Sequence, residues 1–438
     1  MSQSLATSTS VAEVSRDSIG LDLPARLANT AVVGLACREC GREYPITPIA
    51  VCNFCFAPIE IVYDYPLIAS RVTRGRIEAG PSSIWRYEDL LPRGLVSGPD
   101  LQAGWTDLRP APRLAAEIGL SKLWIKSDTQ NPTHSFKDRL VTIALDAART
   151  FGFEVIGCAS TGNLANSVAA HAAVAGLQSV VIVPDSLEVG KLGATAIHGG
   201  IVLAVDGSYD DVNRLCSELA STKPWAFVNV NLRAYYSEGA KTLAFETVEQ
   251  LGWRSPDVIV TPVAAGLSMT KIGRGLKELH QVGLLEDEAH TRIYGAQAEG
   301  CSPVAQAFAQ GTDAVRPVKA DTIAKSLAIG NPADGSFAIE TARSTGGAIT
   351  AVPEQSVVEG IKLLARTEGI FTETAGGVTI SGLEKLVSEG QIDKDDEVVV
   401  MITGQGLKTL EAIGEPPITK LPRADVRAVE DAVAIEGR

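Results

Sequence analysis

Short apolar runs alternate along this chain with stretches in which apolar residues return every three or four positions. The runs Lys122–Asp128, Val155–Ala159, Ser179–Val183, Ile201–Val205, Ala226–Val230, Val258–Val263, Arg292–Ala296 and Glu397–Ile402 predict strands. Between them, Phe136, Leu140, Ile143, Ala144 and Ala147 share one helical face, as do Tyr209, Val212, Leu215, Cys216 and Leu219, and again Leu243, Phe245, Val248 and Leu251. Strand–helix–strand alternation makes neighbouring strands parallel and covers both faces of the sheet, so the expected fold class is α/β with largely parallel sheets. At 438 residues the chain is long for one domain. Two lobes are expected, with a ligand cleft beyond the carboxyl ends of their strands.

Composition narrows the partners. The net charge of −13 would repel nucleic-acid phosphates and anionic membranes rather than neutralise them. No apolar run approaches the roughly 18 residues of a membrane span, and MSQSLATSTSVAEVSRDS lacks the basic-then-apolar order of a secretory signal. A soluble cytoplasmic protein is the expectation. Residues 1–34 read as a Ser/Thr-rich flexible arm, and 421–438 as a C-terminal tail.

The cysteines are not spread like a disulfide framework. Cys37 and Cys40 form one C-x2-C pair and Cys52 and Cys55 another, eleven residues apart. Four thiolates on two such knuckles suit a closed tetrahedral zinc ribbon over about 35–63, with a structural metal. A degenerate ribbon that folds without metal, or a redox pair, remains open. Cys158, Cys216 and Cys301 fall on apolar patterns and read as small core residues.

Candidate chemistry begins at Asn131-Pro132-Thr133-His134-Ser135-Phe136-Lys137-Asp138-Arg139. Asn131-Pro132 marks a turn after a strand, so Lys137 falls in the first turn of the following helix. There the helix dipole and partial desolvation both disfavour an ammonium and free its amine, which makes Lys137 a candidate Schiff-base residue. Some twenty residues on, Cys158-Ala159-Ser160-Thr161-Gly162-Asn163 runs from a strand into a helix near Leu164. Such a turn gathers backbone N–H groups, small hydroxyls and a dipole around an anion, a substrate carboxylate being the natural guest. A structural N-cap is the competing role for Ser160 or Thr161.

These motifs, followed by Gly190-Lys191-Leu192, His198-Gly199, Glu238-Gly239-Ala240-Lys241-Thr242 and Thr403-Gly404-Gln405-Gly406-Leu407-Lys408, resemble in their order the threonine synthases. Those are pyridoxal-phosphate (PLP) enzymes of fold type II, the tryptophan-synthase-β type. The resemblance runs from about Leu35 to Leu410. It implies a large cofactor-binding lobe over 64–123 and 226–420, with a smaller lobe inserted over 124–225. It implies that Lys137 carries the cofactor and moves substrate protons, that Asn163 bonds the cofactor's O3′, and that Ser160 and Thr161 hold the substrate carboxylate, with His134 and Ser135 beside them. Thr403 would face the pyridine nitrogen, although a helix N-cap role stays open for it. The loop Ala264-Ala265-Gly266-Leu267-Ser268, at a helix start, would hold the cofactor phosphate. Asn229, Asn231 and Arg233 would hold a substrate phosphate, with a plain strand-ending turn as the alternative for Asn231.

The implied reaction converts O-phospho-L-homoserine and water to L-threonine and phosphate, in a small-molecule lyase that enzymes of this fold often build as a homodimer. Three departures from the family pattern bear on it: His134 where Gly is usual, Asp107 in place of a T-P-L proline, and Leu140 for a small residue. With a loop poorer in Gly, Asn and Ser at 264–268, they suggest a retuned pocket. The alternative is a paralogue catalysing β- or γ-replacement on another amino acid; a deaminating lyase or a catalytically silent scaffold is the remaining choice.

Overall fold

The computed structural model describes residues 31–94, 98–160, 162–187, 189–286, 290–415 and 418–436. Most of the 1–34 arm lies outside them.

The described residues begin with a three-stranded antiparallel sheet of β1 (Val32–Cys37), β2 (Glu43–Tyr44) and β3 (Ile59–Tyr63), ordered β2-β1-β3. Then come β4 (Leu108–Pro110), β5 (Lys122–Ser127), β6 (Val155–Ala159), β7 (Gln178–Pro184), β8 (Ile201–Val205) and β9 (Ala226–Phe227). The last four strands are β10 (Val258–Pro262), β11 (Arg292–Ala298), β12 (Ile349–Val352) and β13 (Glu397–Ile402). They form a six-stranded sheet, β12-β11-β10-β13-β5-β4, and a four-stranded sheet, β8-β7-β6-β9. Every neighbour pair in these two sheets is parallel except β4–β5. The expected α/β class is therefore observed. Among the described residues no helix is long and apolar enough to cross a membrane.

Strands β6, β8 and β13 run over the spans that periodicity predicts. β9 is cut short for a local reason. The Asn231 side chain accepts from Phe227 N–H at 2.8 Å and donates to the Trp225 carbonyl at 3.0 Å, folding the chain into a turn. β5 crosses the Trp124 boundary expected for the inserted lobe, yet pairs with β13 along its whole length in the six-stranded sheet. The four-stranded sheet draws its strands from Val155 to Phe227.

A closed ionic cluster anchors the segment that leads to Lys137. Arg139, Asp128, Lys126 and Glu246 are all essentially inaccessible to solvent. The Arg139 guanidinium forks onto Asp128, with Nε to Oδ2 and Nη2 to Oδ1 each at 2.7 Å, and onto Glu246 through Nη2 at 2.9 Å. Lys126 Nζ meets Glu246 at 2.7 Å, and the Thr106 hydroxyl donates to Asp128 at 2.8 Å. Two cations balance two carboxylates, which is what lets four charges stay buried. Burial alone would raise the Glu246 carboxyl, but Arg139 and Lys126 outweigh it and bring it down to about 2. The cluster ties the end of β5 to the Lys137–Thr150 and Thr242–Gln250 helices. A further close approach requires glycine: a Cβ on Gly239 would lie 2.3 Å from the Arg139 carbonyl oxygen.

Candidate active site

Three segments stitched together by backbone hydrogen bonds hold Lys137. Phe136 N–H donates to the Thr403 carbonyl at 3.0 Å, Gln405 N–H to the His134 carbonyl at 3.1 Å, and Glu373 N–H to the Gly404 carbonyl at 3.1 Å. Asp138, in the first turn of the Lys137–Thr150 helix, clamps the preceding loop. Its carboxylate accepts from Thr133 N–H and the Thr133 hydroxyl, each at 2.7 Å, and from the Ser167 hydroxyl of the Asn163–Ala175 helix at 2.6 Å. The two helices that begin at Lys137 and Asn163 are thereby locked together.

Lys137 is half-buried in a cavity of about 500 Å³, with its Nζ 4.5 Å from the centre of the Phe136 ring. Burial brings its pKa down from 10.5 to about 8, with Glu373 opposing the fall. At pH 7 about a tenth of the side chain is then the neutral, nucleophilic amine. Attachment of added PLP to cofactor-free protein should accelerate as pH rises and level off above a midpoint near 8, followed by visible absorbance. A midpoint above 10 would show that the pocket does not activate this amine.

Asn163 lines the same cavity. Its Nδ2 donates to both Glu373 oxygens, at 2.8 and 2.9 Å, and its Oδ1 accepts from Lys408 Nζ at 3.1 Å. Lys408 also donates to the Thr133 carbonyl; burial lowers its pKa and Glu373 counters this. Glu373 is buried at the N-terminus of the Thr374–Ser388 helix, where Gly404 makes room for it: a Cβ there would fall 2.3 Å from its Oε1. Sequence reasoning missed Glu373, because an acid ahead of a helix reads as ordinary capping. It also missed the contacts of Lys408, although its motif was in view.

Ser160 lines the cavity and caps as well: its hydroxyl oxygen accepts from Gly162 N–H at 2.9 Å and Ala165 N–H at 2.8 Å, leaving its own proton to donate. Thr161 lies outside the described residues. Ala264, Ala265, Gly266, Leu267 and Ser268 all line the cavity at the start of the Leu267–Gln281 helix, where N–H groups lack intrahelical acceptors. Gly266 has φ +95°, and a Cβ on it would meet the Asp334 carbonyl oxygen at 2.5 Å. Thr403, Asn229 and Arg233 line the same space. Asn229 holds the end of β6 by exchanging hydrogen bonds with Ala159, and Arg233 is paired with Asp334.

Other expected residues stand elsewhere. Asn231 spends both amide atoms on the turn after β9 and does not line the cavity. His134 is exposed, with φ +62° and its Nδ1 3.1 Å from the Thr129 carbonyl oxygen, so it does not narrow the cleft. Asp107 pairs with Gln130 at 2.7 Å, and Leu140 is buried in helix packing. None of the three departures from the family pattern lines the cavity. Ser135 is fully buried, its hydroxyl has no partner among the described residues, and it does not line the cavity.

The glycine-shaped helix start and the depressed lysine, both on this cavity, fit the phosphate and aldehyde of PLP. The four knuckle sulfurs lie within 4.8 Å of one another, Cys37 to Cys55 at 3.3 Å and Cys40 to Cys52 at 3.7 Å. Those separations exceed the ~2.05 Å of a disulfide. Both fall just below the roughly 3.8 Å edge of a tetrahedron of sulfurs around zinc.

Residues 100–404 match the family profile of pyridoxal-phosphate dependent enzymes, a region that begins beyond the cysteine cluster. The threonine synthase of Methanocaldococcus jannaschii is 36% identical over 406 residues, 91% of this chain and 96% of that protein. The threonine synthase of Mycobacterium bovis is 34% identical, covering 80% and 95%. Among solved structures, diaminopropionate ammonia lyase from Escherichia coli aligns over 70% of this chain and 87% of that one, with TM-score 0.60 and 18% identity. Maize serine racemase aligns over 76% and 92%, with TM-score 0.56 and 18% identity. With its profile match spanning most of the chain and its lysine in the cleft, this protein belongs to the pyridoxal-phosphate dependent enzymes.

Proposed function

We propose that the protein is a threonine synthase, a lyase that converts O-phospho-L-homoserine and water to L-threonine and phosphate. The observation that carries this reading is one cavity in which an activated lysine shares space with two places suited to anions, the 264–268 helix start and Arg233. End-to-end similarity to proteins named threonine synthase supports the choice of substrate.

Lys137 would hold PLP covalently, Asn163 its O3′, Thr403 its pyridine nitrogen and residues 264–268 its phosphate. When bound, the cofactor supplies the electron sink that makes Cα and Cβ protons removable. Lys137, with a pKa of about 8, can both take and return those protons near neutrality. Glu373 and Lys408 grip the two ends of the Asn163 amide and fix its donor and acceptor sides, so Glu373 would have to give up one Nδ2 proton for O3′ to receive it. The Ser160 hydroxyl, with Thr161, would receive the substrate carboxylate; Ser135 could join them only by a shift that brings its buried hydroxyl into the cavity. Arg233 and Asn229 would hold the substrate phosphate. Asp334 keeps Arg233 charged against the pull of burial and would have to yield part of its grip to the incoming phosphate.

The β- or γ-replacement reading loses the support of His134, Asp107 and Leu140, none of which lines the cavity, and keeps that of the altered 264–268 loop, which does. We assign a structural zinc to Cys37, Cys40, Cys52 and Cys55, and a homodimer in the cytoplasm as the working state. Incubating PLP-loaded protein with O-phospho-L-homoserine should release phosphate and threonine in equal amounts. Phosphate without threonine would sink the assignment.

A further inference from the structure

The two cysteine knuckles share one backbone design. Gly41 N–H donates to the Cys37 carbonyl at 3.0 Å and Cys37 N–H to the Arg42 carbonyl at 2.8 Å; Phe56 N–H donates to the Cys52 carbonyl at 3.0 Å and Cys52 N–H to the Ala57 carbonyl at 2.9 Å. In each, the residue after the second cysteine is left-handed, with φ +69° at Gly41 and φ +61° at Phe56. Glycine takes that conformation freely, whereas a phenylalanine Cβ is crowded there. Phe56 is not compensated by burial, since three quarters of it is exposed.

What it gains is position. Phe56 lines the cavity that holds Lys137, as do Ala50, Val51 and Pro58 from the same segment. The segment is docked against the rest of the molecule: Ala50 packs on the core of the four-stranded sheet, and the Tyr235 hydroxyl donates to the Thr47 carbonyl at 3.2 Å. The other aromatic of the knuckle, Phe54, lies under the Arg42 guanidinium at 4.6 Å and does not line the cavity. A strained, exposed aromatic at a ligand cleft is the kind of outlier that points to function.

We propose that Phe56 is a specificity-determining wall of the amino-acid site, and that a metal ion on the four cysteines holds it there. This rests on the PLP and zinc assignments made above. The ring covers the aliphatic part of the bound substrate and restricts water at the mouth of the cleft. The metal fixes the Cys52–Cys55 turn, so its loss would release the ring along with the turn.

The test uses PLP-loaded protein with its metal content measured. Phe56→Gly also relieves the left-handed backbone, so its thermal stability should equal or exceed that of the wild type. Its KM for O-phospho-L-homoserine should rise about tenfold with a smaller change in kcat, the size expected for losing partial burial of a phenyl ring. Acrylamide quenching of the bound cofactor's fluorescence should increase. Chelating the metal from wild-type protein should reproduce both changes, and chelating it from Phe56→Gly should add little, since both act through one ring. Stoichiometric metal with unchanged KM and quenching in the variant overturns the role of Phe56. Additive effects of chelation and substitution overturn the coupling. Protein purified from zinc-supplemented cells without metal overturns the zinc assignment and its part here, and wild-type protein that makes no threonine overturns the proposed activity before any variant is compared.

Discussion

Lys137→Ala should reduce threonine formation by about 10⁴-fold or more and abolish the visible absorbance of covalently held PLP, because one side chain supplies both the attachment and the mobile base. Folding should be spared. A half-buried ammonium whose pKa has fallen to about 8 costs the folded state stability, so its removal leaves the melting temperature level or higher. Lys408 is the control. Its amine already serves the Thr133 carbonyl and Asn163, so Lys408→Ala should weaken activity while leaving covalent attachment intact. Retained absorbance in Lys137→Ala and its loss in Lys408→Ala would reverse the two roles.

The largest stability effect is expected at Arg139. Arg139→Leu leaves Asp128 and Glu246 buried with Lys126 as their remaining cation, and breaking such a cluster costs about 3–5 kcal/mol. Denaturant titration should register the loss directly. The pH dependence has a definite sign. The Glu246 carboxyl is lowered from 4.5 to about 2, so its contribution is fully present above pH 4.5 and is lost as pH falls through 2. In Arg139→Leu the acid-side slope over that window should flatten. A loss below about 1 kcal/mol would mean that the cluster relaxes or admits water.

Local pattern revealed a definite part of this molecule. Strands such as β6 and β13 were legible because burial on both faces leaves a continuous apolar run between polar boundaries. Lys137 was legible because the turn before it and the helical period after it fix its place in the first turn. β12 (Ile349–Val352) was not, since four residues carry too little period to separate strand from helix. Glu373 could not be found from its neighbours. Its meaning comes from Asn163 and Gly404, which meet it only in the folded chain. The same holds for Phe56, more than 80 positions before Lys137 in sequence and on the same cavity in space. His134 illustrates the opposite error. A bulky residue in place of a glycine three positions before a reactive lysine suggested a retuned pocket, but at φ +62° its ring meets the Thr129 carbonyl and stays in solvent. For Asn231 two roles were open, because an amide fit to hold phosphate is equally fit to end a strand, and its side chain is engaged in the turn.

The most direct test of the proposed chemistry is to run the reaction on O-phospho-L-homoserine in ¹⁸O-labelled water and weigh both products. Cleavage of the Cγ–O bond followed by addition of water at Cβ predicts one labelled oxygen in threonine and none in phosphate. Labelled phosphate accompanied by unlabelled homoserine would mean hydrolysis at phosphorus, and would contradict the assignment.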